Sequence, residues 1–180
     1  MSNTPHSKAS LLLTELIITI MFFAIAGAVS ISVFVKAHIV SNNSAALTGA
    51  VREAGNIAEI YTGSLGDLSK ISSVYDKNAI LLKSEDNSTS LCIVSYDKDF
   101  ATTASFEEST YEALVISSET GSNMNKANIY ILNKEDFEII TGTDSPDFLA
   151  KELSDSGEMP DEDMLTDKAI YHITADYYVG

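Results

Sequence analysis

The chain is poor in the residues that carry special chemistry. It has one cysteine, Cys92, among 180 residues, so an intrachain disulfide and a cysteine-built zinc centre are both excluded. It has no tryptophan, three prolines and nine glycines, too few of the last two for a fibrous or wholly disordered chain. Basic residues are scarce, 11 Lys and Arg against 26 Asp and Glu, for a formal net charge of -15 and a pI near 4.3. Nucleic-acid affinity rests on clustered Lys and Arg displacing counterions from phosphates, so a nucleic-acid partner is not expected. The three histidines, His6, His38 and His172, are scattered, without a His-Glu-x-x-His helix or a carboxylate at metal-ligand spacing. Neither a Gly-x-Ser-x-Gly elbow nor a glycine-rich phosphate loop occurs. The expectation is a non-enzyme with no cofactor and no metal.

Hydrophobic residues nevertheless make up 45% of the sequence, and they are concentrated. Residues 16–35 form a run of 20 without a charge, 12 of them Leu, Ile, Val or Phe. As a helix such a run covers roughly 30 Å, the thickness of a bilayer's hydrocarbon core. On an insertion scale those 12 residues contribute about -4 to -7 kcal/mol, so a lipid bilayer is the expected partner of this segment. A buried helix of a soluble protein would show a polar stripe. Here only Thr19, Ser30 and Ser32 interrupt, each able to bond back to its own helix. A secretory signal has a shorter apolar core of ~7–15 residues and a small-residue cleavage site after it; Ala26-Gly27-Ala28 lies inside the run.

Beyond Lys36, apolar residues at Val40, Leu47, Val51, Ala54, Ala58 and Tyr61 recur at helical spacing, with Asn43, Arg52, Asn56 and Glu59 opposite. The helix is therefore expected to continue as an amphipathic segment to a break near Gly63 or Gly66. Gly49 and Gly55 weaken it and permit close packing or a bend. From Ile71 onward the pattern reads as six short strands: 79–83, 89–96, 111–118, 127–132, 137–141 and 169–178. Turn-forming Glu85-Asp86-Asn87-Ser88 and Thr120-Gly121-Ser122-Asn123 separate the first two pairs. The expected fold is α+β, a long N-terminal helix packed on an antiparallel sheet. Residues 144–167 hold nine acids and only Lys151. They read as a solvated loop with a short helix over 146–153. Asp155, Glu158, Asp161, Glu162, Asp163 and Asp167 could supply oxygens to Ca²⁺, but no EF-hand spacing is present. Cys92, in Leu91-Cys92-Ile93-Val94, reads as a small core residue.

One charge stands where charge is costly. Glu15 is preceded by Leu11-Leu12-Leu13-Thr14, so the apolar helix begins before it. A carboxylate in hydrocarbon costs several kcal/mol, of order 3 or more, unless paired or protonated. Glu15 either lies at headgroup level and faces water, or accepts a positive group. The cations near it in sequence are Lys8 and the chain's amino terminus.

Lys8-Ala9-Ser10 followed by Leu11-Leu12-Leu13-Thr14-Glu15-Leu16-Ile17-Ile18 resembles the processing and assembly motif of type IV pilins and type II secretion pseudopilins. That family carries a short basic leader, a cleavage site and a hydrophobic helix with Glu as its fifth mature residue. Ser10 stands where the family has Gly, and Leu11 where it has an aromatic residue. The resemblance implies a leader over residues 1–10, cleavage by a prepilin peptidase between Ser10 and Leu11, and N-methylation of Leu11. It implies a transmembrane and assembly helix over 11–35, its amphipathic half over 36–63, and an acidic, extracytoplasmic sheet domain over 64–180. Glu15 would then pair with the amino terminus of a neighbouring pilin-like subunit. Without cleavage, the same sequence describes a single-pass anchored surface protein whose acidic domain binds a ligand or partner.

Overall fold

The computed structural model describes residues 6–83, 89–120, 124–143 and 160–178. Helix α1 (His6–Gly63) is the first element, and the chain divides between Ala45 and Ala46 into two compact units. Of α1 the first unit holds residues 6–45, which include the apolar run. The second begins with the remainder of α1 and continues through α2 (Leu68–Tyr75) and strands β1 (Ala79–Lys83), β2 (Thr89–Tyr96), β3 (Tyr111–Thr120) and β4 (Met124–Asn133). It then runs through α3 (Lys134–Thr141) and α4 (Glu162–Lys168) to β5 (Tyr171–Tyr178). The α+β class expected from the sequence is the class observed.

The sheet is a five-stranded antiparallel meander in the order β1-β2-β3-β4-β5. Its register pairs Cys92 with Val115, Val115 with Ile129, and Ile129 with Ile173. Because side chains alternate across a strand, each strand feeds two cores. Cys92, Val94, Ala113, Val115, Ala127, Ile129 and Ile131 pack with Ala50, Ala54, Ile57 and Tyr61 of α1 and with Leu68 and Ile71 of α2. On the other face Leu91, Ile93, Leu114, Ile116, Tyr130 and Leu132 pack with Phe137 of α3 and Leu165 of α4. The sheet is thus covered on both faces.

Helix α1 stops where the sequence suggested. Leu65 and Gly66 take left-handed backbone angles (φ 61° and 81°), and the Gly66 amide donates back to the Tyr61 carbonyl at 3.0 Å. This left-handed ending is the common way to close a helix C-terminus. Asp67 then caps α2 by accepting from the Ser69 amide at 2.9 Å.

The structure corrects three expectations. Residues 137–141 are not a strand; they end α3. Glu135 and Asp136 occupy its first turn and Gly142, at φ 66°, closes it, so charge placement and the left-handed residue favour a helix despite the β-branched run. The sixth strand is therefore absent among the described residues. Residues 68–75, read in part as the start of β structure, form α2, whose buried Leu68 and Ile71 are three apart. The stripe of α1 that meets the sheet is also rotated from the one inferred. Gly49, Ala50, Glu53, Ala54, Ile57 and Tyr61 are buried, whereas Val40, Leu47 and Val51 are 63%, 46% and 42% exposed. Small residues stand where α1 meets the segment that follows β2. A methyl group on Gly49 would lie 2.2 Å from the Phe100 ring. The hairpin turns at 85–88 and 121–123 and the helix over 146–153 lie outside the described residues. The strands flanking both turns pair as antiparallel neighbours.

Candidate membrane and assembly helix

Ser10, Leu11 and Glu15 all lie inside α1 and are exposed. The surface around them is apolar in every direction. Leu11, Leu12 and Leu13, and again Phe22 and Phe23, are consecutive exposed residues, from 59% to 75%; successive helical positions are rotated by about 100°, so no face is left polar. Among the described residues one helix is long and apolar enough to cross a membrane. Three of the hydroxyl groups along it bond back to its own backbone. Thr14 donates to the Ser10 carbonyl at 2.9 Å, Thr19 to the Glu15 carbonyl at 2.8 Å and Ser30 to the Ala26 carbonyl at 2.9 Å. Donors bonded within the helix in this way need nothing from water.

Glu15 differs from those hydroxyls, since a carboxylate cannot be satisfied by its own helix. Among the described residues the ion pairs are Arg52–Glu53, Lys98–Asp99 and Lys168–Asp136, and none reaches Glu15. Residues four apart lie on one helix face, and side chains lean toward the N-terminus. Glu15 therefore overhangs the position of Leu11. A cationic group at that position, from this chain or another, would meet the carboxylate within one turn.

The second unit places the other residues singled out. Cys92 is fully buried in β2, and burial pushes its thiol up to about 12, which leaves it protonated and unreactive as a nucleophile at neutral pH. His172 is exposed on β5 and stacks on Tyr130, ring centroids 5.4 Å apart. His38 lies on exposed α1 with its Nε2 3.4 Å from the Asn42 amide nitrogen; the side chain of His6 is outside the described residues. Of the acidic segment, Asp155 and Glu158 also fall outside them. Asp161 is a helix cap, accepting from the amides of Asp163 at 2.9 Å and Met164 at 3.4 Å. Among the described residues no three His, Cys, Asp or Glu side chains converge as a metal site.

Two buried acids were not singled out from the sequence. Glu53, in α1, is held by Arg52 at 2.7 Å and Asn56 at 3.2 Å. Glu112, in β3, has no exposed surface. Its Oε2 accepts from the Ser95 hydroxyl at 2.7 Å, and burial raises its carboxyl to about 7. Strand alternation was the available signal, since Glu112 shares its face with Leu114 and Ile116.

Fold and site together define a protein with one membrane-length apolar helix and an acidic α+β unit built around a five-stranded meander. No family model matches the sequence, and neither a curated protein nor a solved structure matches it.

Proposed function

We propose that the chain is a pilin-like or pseudopilin subunit that assembles through its apolar N-terminal helix. The observation that carries this reading is Glu15. It is the lone carboxylate on a predominantly apolar helical surface, three of whose hydroxyls bond back to their own helix. Such a group is tolerated in lipid when a cation meets it. An α-amino group at Leu11, freed by a prepilin peptidase cutting after Ser10 and then methylated, is the cation this sequence would supply. Delivered by a neighbouring subunit, it couples charge neutralisation to register, because two buried charges satisfy one another only when correctly aligned. The acidic unit would lie outside the cytoplasmic membrane. A helix packed on an antiparallel meander is compatible with the pilin architecture.

Ser10 favours a second reading, since the family's cleavage site has Gly there. In that reading the chain is an uncleaved single-pass protein whose acidic domain faces a ligand or partner at the cell surface.

Site-directed cross-linking in native membranes separates the two. With cysteines placed on 11–35, the assembling subunit gives copy-to-copy or subunit-to-subunit ladders, and Glu15→Ala reduces them at least about tenfold, the effect of ~1.4 kcal/mol. Ladders unaffected by Glu15→Ala remove the carboxylate from assembly, and their absence in both chains favours the plain anchor.

A further inference from the structure

The last strand leaves one edge of the sheet open. Among the described residues β5 pairs with β4 and with no other strand, so the N–H and C=O groups along its outer side join no ladder there. Proteins usually blunt such an edge with a short strand, a lysine, a proline or a bulge. The opposite edge follows that practice, since β1 has five residues and ends in Lys83. β5 does not. It runs for eight residues, Tyr171-His172-Ile173-Thr174-Ala175-Asp176-Tyr177-Tyr178, without a lysine, proline or glycine, and all of them are in register with β4. Tyr171, Ile173, Ala175 and Tyr177 pack into the core shared with α1, whereas His172, Thr174, Asp176 and Tyr178 are exposed on the other face.

The sequence of this edge complements itself. Alternate residues of an edge strand turn their N–H and C=O groups outward, so two copies that pair antiparallel must meet about a residue and not about the bond between two residues. A two-fold axis at Thr174 sets Thr174 opposite Thr174, Ile173 opposite Ala175, His172 opposite Asp176 and Tyr171 opposite Tyr177. Hydroxyl pairs, aromatic pairs and oppositely charged pairs are the combinations that stabilise facing strands. An axis at Ala175 would instead put Asp176 opposite Thr174 and His172 opposite Tyr178; one at Ile173 would put Thr174 opposite His172 and Asp176 opposite Ile170. The Thr174 axis brings acid and imidazole together, and it does so twice. Among the described residues neither side chain is in an ion pair. His172 stacks on Tyr130 with centroids 5.4 Å apart, and the Thr174 hydroxyl donates to the Asn128 side chain at 2.9 Å. Both contacts are made toward β4.

We propose that β5 is a self-pairing edge, through which a second copy of this chain extends the meander across a two-fold axis at Thr174. That axis is normal to the sheet, so residues 46–63 of α1 in the two copies run in opposite directions. The contact is therefore distinct from the proposed bundling through residues 11–35, in which helices share one direction, and neither contact requires the other.

Sedimentation velocity of the full chain in detergent tests the pairing. The expected result is a dimer whose share rises with protein concentration and is unchanged by Glu15→Ala. His172→Asp sets like charges opposite one another twice over and should weaken association at least about tenfold. Adding Asp176→His to that variant should restore the dimer, because the two-fold register only exchanges the partners. A monomer at every concentration, a dimer indifferent to His172→Asp, or a loss that Asp176→His does not repair overturns the proposal, and a dimer lost with Glu15→Ala assigns association to α1 instead. Cysteine substitution checks the register separately. Residues on the axis lie about 4.5–5.5 Å apart between Cα atoms, within disulfide range, so Thr174→Cys should cross-link on air oxidation. Tyr178→Cys, about 26 Å from its symmetry mate, should not, and equal cross-linking at the two positions contradicts the Thr174 axis.

Discussion

Gly49 and Gly55 lie six residues apart on the same helix, yet their surroundings give them opposite roles. A Cβ on Gly49 would meet three ring atoms of Phe100 between 2.2 and 2.8 Å, whereas one on Gly55 would meet nothing within 4 Å. The ring has little freedom to retreat. It stacks on Tyr111 with centroids 4.3 Å apart and belongs to a residue already at φ 60°, a left-handed backbone costing roughly 1–2 kcal/mol. Urea unfolding should therefore find Gly49→Ala destabilised by about 1–3 kcal/mol through overpacking, and Gly55→Ala stabilised by up to ~1 kcal/mol through helix propensity. Glu112 makes a second residue-level prediction. Its folded carboxyl titrates near 7 against ~4.3 unfolded, so between those values the folded state holds the extra proton. Stability from this group is thus greatest at low pH and declines as pH rises through that window, by an amount of order 3 kcal/mol. Glu112→Gln should flatten that part of the stability profile and be the more stable chain at pH ~8. A variant as pH-dependent as the parent would show that Glu112 is not the titrating group. Neither glycine's role nor the burial of Glu112 was legible locally. Each depends on which distant residue covers the site, Phe100 for Gly49 and the 106–110 segment with α3 for Glu112.

Among the elements, the strands were the most legible and the short helices the least. β1 to β4 announce themselves through alternating or continuous β-branched and aromatic residues, and their pairing follows from adjacency in sequence. α3 was misread because Phe137-Glu138-Ile139-Ile140-Thr141 has strand composition; what decides it is the acidic first turn and the left-handed Gly142. The buried stripe of α1 was legible in part: Ala54 and Tyr61, given by helical spacing, are buried, whereas Val40, Leu47 and Val51 are exposed. Gly49, Ala50, Glu53 and Ile57 complete the buried face instead. α2 offers a test of element-level stabilisation through its cap. The Ser69 side chain and amide hold the Asp67 carboxyl below its ordinary range, so this contribution is present at neutral pH and is lost as pH falls through the folded value, the reverse of Glu112. Asp67→Ala should cost about 1 kcal/mol at pH 7, and the difference from the parent should vanish in strongly acidic buffer. A penalty that persists there would assign the loss to packing rather than to the cap.

At the scale of the whole chain, charge and hydrophobicity are separated. Glu15 is the one charged residue from Leu11 to Val35; of the 26 acids and 11 bases, the residues from Lys36 onward hold the other 25 acids and, setting aside Lys8, 10 of the bases, so the entire -15 resides there. This division was legible because it depends on composition alone, and the structure divides the chain ten residues further on, so that of the charges from Lys36 onward only Lys36 shares a compact unit with the apolar run. The apolar unit exposes its hydrophobic surface around the full circumference, and the acidic unit encloses two cores around one sheet. Such a chain should sediment with membranes, resist extraction by high salt or alkaline carbonate, and be released by detergent. Release by salt alone would indicate peripheral attachment through charge rather than insertion of α1. The proposed assembly makes a sharper demand than insertion, because in it Glu15 would have to meet the freed amino group of Leu11 on a neighbouring subunit. The most direct test is the intact mass of the protein purified from its native membrane, with sequencing of its N-terminal peptide. The expected result is a chain that begins at an N-methylated Leu11; a chain that retains residues 1–10 would contradict processing and leave α1 as a membrane anchor.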